Sequence, residues 1–459
     1  MPDPLERRSE ETEALALVLD HARRYLAELD ESRVLPARDR RVDVRLPEQG
    51  DGALTALREL IARSDVATRS SGPRFFHFVT GGTTPAALGA DWLTSLLDQN
   101  SFSWVSSPLG MELEEVAIGW LLELFELPES WGGVLTTGAT MANFVGLACG
   151  RRWWAQQHGV DVDERGFAGL PEVPVFSTPY LHASARKALA MLGLGHDSAR
   201  LVDVDALERE LDALNGAPAI VIANAGDVNS GDFDPIDRLA DLAKEHGAWL
   251  HVDGAFGLFA RVTPQAAALT EGVERADSVI SDGHKWLNVA YDCGFAFVRD
   301  RELLRQPFRL TGPYLPSDEA PSPEASRRAR ALAVWATLRA YGRDGYQAMV
   351  ERHLGLAARL GRRVEEEPEL ELLAPVKLNI VCFRHRPQGM DESELDEHNL
   401  ALGQDLLDDA RVFYGTTRYD GKVAFRPAIV NWRTTESDVD LIVDVLLELA
   451  AERMTAAAQ

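Results

Sequence analysis

Lysine is nearly missing from this chain. Of 47 basic residues, only Lys187, Lys244, Lys285, Lys377 and Lys422 are not arginine. A guanidinium does not give up its proton, whereas a desolvated amine can act as a nucleophile, so a lysine kept at a structured position points to amine chemistry. Positive charge as a whole is also short. A formal charge of -25 and a pI of about 4.9 argue against nucleic acid and acidic lipid surfaces as partners, because no basic patch would easily outweigh that field. The three cysteines, Cys149, Cys293 and Cys382, lie far apart and form no metal-ligand spacing, which predicts a reduced, cytoplasmic chain without a metal site. No run approaches the roughly 18 apolar residues that span a bilayer, and the N-terminal residues lack the apolar core of a signal peptide.

What is present is an ordinary globular composition, 46% hydrophobic and 26% charged over 459 residues, enough for a large core and more than one domain. Leu15, Val18, Leu19, Ala22 and Leu26 recur at helical spacing and give one apolar face that needs a surface to cover. A second helix is expected from Ala53 to Ala62, after an irregular stretch from Val34 to Pro47. An aromatic, glycine-rich loop follows at 70–85 and an aromatic, irregular one at 100–108, with helices expected near 86–97 and 111–124.

Beyond Trp131, short apolar runs at 133–135, 173–176, 219–222, 249–252, 278–280 and 295–298 alternate with helical segments. This alternation predicts an α/β fold with a mostly parallel sheet, whose sites lie at the carboxyl ends of the strands. The proline-rich segment from Thr311 to Pro323 reads as a linker. Two helices, 326–341 and 346–365, are expected after it, then strands at 377–383 and 423–430 and a helix at 437–452, a smaller C-terminal α+β domain. The expected division is a helical dimerisation segment over 1–70, a large domain over 71–312 and a small domain over 313–459.

Four stretches carry the chemistry. The run Asp277 to Gly294 sets Lys285 in a turn between two apolar runs. Thirty-two residues upstream, Trp249 to Gly257 reads as a buried strand that ends on the carboxylate of Asp253. A lysine for an aldehyde and an acid for a pyridine nitrogen are the two groups that pyridoxal phosphate needs. Val134 to Asn143 reads as a strand and tight turn opening a helix, which aims N–H groups at an anion, with Thr140 adding a hydroxyl. His182 precedes a helix and could stack on a planar ring. Each taken singly has a plainer reading: a strand-end Asp or a Thr before a helix is more often a cap, and a lone His more often a surface or capping residue.

Together these stretches resemble the group II pyridoxal-phosphate-dependent amino acid decarboxylases, the family of aromatic L-amino acid, histidine and glutamate decarboxylases. The likeness runs from about Pro73 to Val439 and includes Pro73-Arg-Phe-Phe, Phe102-Ser-Trp, Thr137-Gly-Ala-Thr140, His182, His251-Val-Asp-Gly-Ala255, Asp282-Gly-His-Lys-Trp286, Asp292-Cys293 and Arg327-Arg328. The resemblance implies a fold-type I pyridoxal 5'-phosphate enzyme that decarboxylates an L-amino acid through a Schiff base on Lys285. It further implies that Asp253 pairs with the pyridine nitrogen, His182 and Ala255 pack on the two ring faces, Ala139 and Thr140 bind phosphate, and His284 lies beside the lysine. Arg426 would lie near the substrate carboxylate. As the family forms intertwined homodimers, Thr80, Phe102 and Trp104 would approach the substrate across the subunit interface.

Two departures stand out. Val228 falls where relatives carry a threonine hydroxyl that contacts the ring oxygen, leaving Asn229 as a substitute or the contact absent. The mobile loop that bears a catalytic tyrosine in the family is shortened to Leu315–Ala325 without an aromatic residue, and Tyr314 is the only near candidate. Transamination, aldol cleavage or oxidative deamination to an aldehyde therefore stands beside decarboxylation. The aromatic residues Phe75, Phe76, Phe102 and Trp104 lean toward an aromatic substrate or belong to the core.

Overall fold

A computed structural model describes residues 10–35, 46, 48–310, 312–315 and 319–457. Most of the irregular stretch expected at 34–47, and residues 311 and 316–318 of the expected linker, lie outside the described residues.

Seven strands form the main sheet: β1 (Gly132–Thr136), β2 (Val175–Ser177), β3 (Ala199–Leu201), β4 (Ile220–Asn224), β5 (Trp249–Asp253), β6 (Ser278–Asp282) and β7 (Gly294–Val298). Their order is β1-β7-β6-β5-β4-β2-β3. Neighbours from β6 to β3 are parallel, and β7 runs antiparallel to both β6 and β1. Strands β4 to β7 are buried throughout, which is why they read as near-continuous apolar runs and not as alternating ones. One face is covered by a core built around Phe125, Phe259, Trp286 and Phe295, the other by one around Val145, Trp154, Ile222 and Ile280.

A second sheet, antiparallel, holds β8 (Leu370–Leu372), β9 (Phe383–His385), β10 (Thr416–Tyr419) and β11 (Lys422–Phe425) in the order β10-β11-β9-β8. The two helices expected over 326–341 and 346–365 lie end to end within Ala331–Glu366, separated at Gly342, whose φ of 60° is not helical. This element packs against helices Pro85–Leu97, Pro108–Leu124 and Glu436–Ala457. The N-terminal helix Glu10–Glu28 lies against Ala53–Arg63 and buries none of its residues; Leu15, Leu19 and Leu26 are exposed.

Register decides what meets at the strand ends. Thr136, Gly294 and Asp282 sit side by side across β1, β7 and β6, while Asn224 and Asp253 pair across β4 and β5. The glycine turn after β1 is thereby brought against the lysine turn after β6.

Candidate active site

Lys285 follows β6 in a turn, with its Nζ 3.0 Å from Asp282 Oδ2 and 5.7 Å from the centre of the Phe256 ring. The segment 80–84 lies over that turn. Gly81 N–H donates to His284 C=O at 3.1 Å, and a Cβ on Gly81 would stand 1.6 Å from Lys285 C=O, so only glycine allows this approach. His284 is stacked on Tyr291 at 4.2 Å between centroids, and burial lowers its pKa. Tyr291 in turn places its hydroxyl 3.3 Å from Thr80 Oγ1. Thr80 therefore meets the lysine turn of its own chain.

Asp253 ends β5 with 5% exposure and both carboxylate oxygens engaged: Asn143 Nδ2 donates to Oδ2 at 2.8 Å, and Ala255 N–H donates to Oδ1 at 3.2 Å. A chain of hydrogen bonds stands behind it. With Asn143 Nδ2 turned to Asp253, its Oδ1 accepts from His251 Nε2 at 2.8 Å, and His251 Nδ1 then accepts from Ser278 Oγ at 2.8 Å. Burial pushes the pKa of His251 down to about 4, with Asp253 opposing, so the imidazole is neutral at pH 7 and serves as a strut. Ala255 C=O accepts from Asp282 N–H at 2.9 Å, tying the two strand ends together.

Gly138, at φ 139°, opens helix Ala139–Gln157 with no side chain capping its N-terminus. Ala139 N–H, expected to hold phosphate, is already donated to Asp282 Oδ1 at 2.5 Å. Thr140 follows it, half-buried in the first turn of the helix. His182 caps helix Ala183–Met191, with its Nδ1 2.7 Å from Ser184 Oγ, and its residue surface is exposed in the single chain. Desolvation is the largest influence on its pKa, lowering it; Asp253 and Asp282 raise it, Lys285 and Arg426 lower it. The four charged groups singled out at scattered positions thus act on one imidazole.

Arg426 follows β11 with 8% exposure, and its Nη1 has no hydrogen-bond partner. Burial lowers its pKa, and its charge helps depress the neighbouring His77 to about 4. A buried guanidinium with an unmet donor is a ready site for a carboxylate. Asn229 Oδ1 accepts from Thr417 Oγ1 at 2.6 Å. Phe102 is buried in its own chain, its C=O accepting from Ala320 N–H, whereas Trp104 is 52% exposed and lines a cavity of about 630 Å3 with Met111, Ala320 and Pro321. Phe75 and Phe76 are buried, Phe75 against Phe413 and Phe76 in the core of the C-terminal sheet. Tyr291, Asn143 and Asp282 gain parts in the site that sequence reading did not give them. Tyr291 and Asp282 sit in the same short run as Lys285; Asn143 is joined to the site only by the folded register.

Among the described residues no group of three or more acidic, His or Cys side chains is arranged to hold a metal ion, and no helix is long and apolar enough to cross a membrane. Comparison with known proteins agrees with the geometry. Residues 36–386 match the conserved domain of pyridoxal-dependent decarboxylases. An aromatic-L-amino-acid decarboxylase of Bacillus atrophaeus is 29% identical over 83% of this chain and 82% of the relative. A phenylacetaldehyde synthase of Arabidopsis thaliana is 27% identical over 88% of this chain and 87% of its own length. The crystal structure of Oryza sativa TDC with PLP and tryptamine superposes with a TM-score of 0.89 at 26% identity, covering 98% of this chain and 99% of that one. The strand-end lysine and acid and the matched domain lead to one conclusion: the chain belongs to the pyridoxal-dependent decarboxylase family.

Proposed function

We propose that this chain decarboxylates an L-amino acid with an aromatic side chain, with pyridoxal phosphate held on Lys285. The observation that carries it is the convergence on His182 of the charges of Lys285, Asp253 and Arg426, whose buried Nη1 has no hydrogen-bond partner. When bound, the cofactor supplies an electron sink for the pair left by carbon dioxide. The residues fit it. Asp253, fixed by Asn143 and Ala255, is placed to keep a ring nitrogen protonated; His182 and Ala255 flank a planar group; Thr140 and the amides after it face a phosphate, with His284 beside the lysine. Arg426 binds and orients the substrate carboxylate. The aromatic preference is supported by the relatives, one named for aromatic amino acids and another solved with tryptamine.

Trp104, Val105 and Leu109 are exposed, as are the leucines of the N-terminal helix, and we take these faces as the contact of a homodimer. On that reading Trp104 is the aromatic residue of the 100–108 loop open to a neighbouring subunit's site. The division into large and small domains at residue 312 follows the two sheets. A cytoplasmic location rests on the three buried, free cysteines. The test is to reconstitute the protein with pyridoxal phosphate and supply a panel of amino acids while measuring carbon dioxide, amine, ammonia and peroxide. Carbon dioxide with equimolar amine from an aromatic amino acid is expected. A visible spectral change without carbon dioxide would move the chain to transamination or aldol cleavage.

A further inference from the structure

A carbon that has lost carbon dioxide keeps the bonding pair and must receive a proton before an amine can leave, so the site needs an acid at that carbon. Among the eight tyrosines the described geometry separates the candidates. Tyr346 reaches the lysine turn but is buried, its hydroxyl donated to Leu287 C=O. Tyr180 points to Asp232, and Tyr314 stands 87% exposed. Tyr291 combines contact with the turn and an open face: its ring is stacked on His284, its hydroxyl meets Thr80, and the residue is 60% exposed. His182 is the other site group that could move a proton, but its Nδ1 is committed to Ser184, and desolvation, the largest influence on it, disfavours its protonated form.

The phenol is rigidly placed. Thr80 N–H donates to His77 C=O at 3.3 Å, and the next residue is Gly81, which has no room for a Cβ above Lys285. Hydroxyl, threonine and lysine turn therefore form one unit. Burial, the largest influence, and the Asp282 carboxylate raise the phenol pKa, while Thr80 and Lys285 lower it; the net direction is upward and the proton stays on oxygen at neutral pH.

We propose that Tyr291 is the acid that protonates the substrate carbon after decarboxylation. Its O–H bond breaks as the C–H bond forms, and the O–H pair remains on a phenolate that Thr80 and the Lys285 cation stabilise until water reprotonates it. This rests on the decarboxylase reading above. It also accounts for a site that manages without an aromatic residue in the 315–325 loop.

The test compares wild type, Tyr291→Phe and Thr80→Val. Ultraviolet titration of the cofactor-free proteins should show that Tyr291→Phe removes a phenol that titrates above the ordinary tyrosine value of about 10; loss of one titrating at or below pH 8 would overturn the assignment. With cofactor, Tyr291→Phe should bind pyridoxal phosphate within about twofold of wild type and still release carbon dioxide. Amine formation should fall by about a hundredfold, in line with the weight of one positioned acid. In air, dioxygen then takes two electrons from the unprotonated carbon and becomes hydrogen peroxide, and water hydrolyses the resulting C=N bond to aldehyde and ammonia. Thr80→Val should move the alkaline limb of the amine-forming pH profile upward, because the phenolate loses a donor. Unchanged amine yield and rate in Tyr291→Phe would refute the inference alone. Absence of carbon dioxide with wild type would sink the decarboxylase reading and this inference with it.

Discussion

Asp253 accepts two hydrogen bonds, and the one from Asn143 belongs to a chain ending at Ser278. A hydrogen bond to a charged group contributes about 1.5–3 kcal/mol, and truncation leaves buried partners unmet. Asn143→Ala is therefore expected to lower kcat/KM roughly ten- to hundredfold, at 1.4 kcal/mol per factor of ten, while Lys285 still captures the cofactor. Steady-state kinetics beside the visible spectrum of the bound cofactor check this, and a variant with wild-type kcat/KM would show that Asp253 needs no such strut. Arg426 presents the opposite case. A buried guanidinium with an unmet donor costs stability, so Arg426→Gln should leave the melting temperature equal or higher while raising KM at least about tenfold. A lower melting temperature with unchanged KM would make Arg426 structural.

Among the elements, the segment 77–84 is the most tightly specified. With Lys285 C=O 1.6 Å from where a Cβ would lie, Gly81→Ala cannot be absorbed by a rotamer change, because both sides are backbone. The expected cost exceeds about 2 kcal/mol, seen as a lower denaturant midpoint together with weaker cofactor binding, since the lysine turn must move. Retention of both would mean that the two segments separate freely. The same segment marks the limit of what the sequence discloses. Strands β1, β2, β4, β5, β6 and β7 were legible because they are wholly or largely buried and read as apolar runs, and Lys285, Asp253 and His182 followed from their places at or after strand ends. Strand β3 is three residues long with Arg200 and Leu201 exposed, so it carries no such signal. The run from Lys377 looks like a strand because Leu378, Ile380 and Val381 are buried, yet regular pairing begins only at Phe383. The contact of Gly81 with Lys285, and of Asn143 with Asp253, spans 204 and 110 residues, and nothing local in either segment names its partner.

Over the whole molecule, acidification sets two effects against each other. At pH 7 the chain carries a formal charge of -25, and approach to the pI of about 4.9 relieves self-repulsion, but that charge is spread over the surface and screened beyond about 8 Å at physiological salt. Against it stand buried neutral histidines. His353 accepts from Trp286 Nε1 at 2.9 Å and lies 3.0 Å from Asn431 C=O, and burial holds its pKa near 3; His251 is held near 4. Both folded values lie below the unfolded value of about 6.5, so their contribution is complete above pH 6.5 and is lost as pH falls toward the folded values. Asp234 acts with the opposite sign: burial raises it to about 6, so its stabilisation grows as pH falls from 6 toward 4. Each group is worth about 1.4 kcal/mol per pH unit while its folded and unfolded forms differ in protonation. Two histidines acting over 6.5 to 4 outweigh one carboxyl acting over 6 to 4, leaving a net loss of a few kcal/mol. Urea midpoints at about 0.15 M salt should thus be flat between pH 8 and 7 and decline steadily from about 6.5 to 4. His353→Gln, although less stable at pH 7, should show a shallower decline. A midpoint that rises on the way to pH 4.5 would mean that relief of the negative surface charge dominates this fold and not its buried imidazoles.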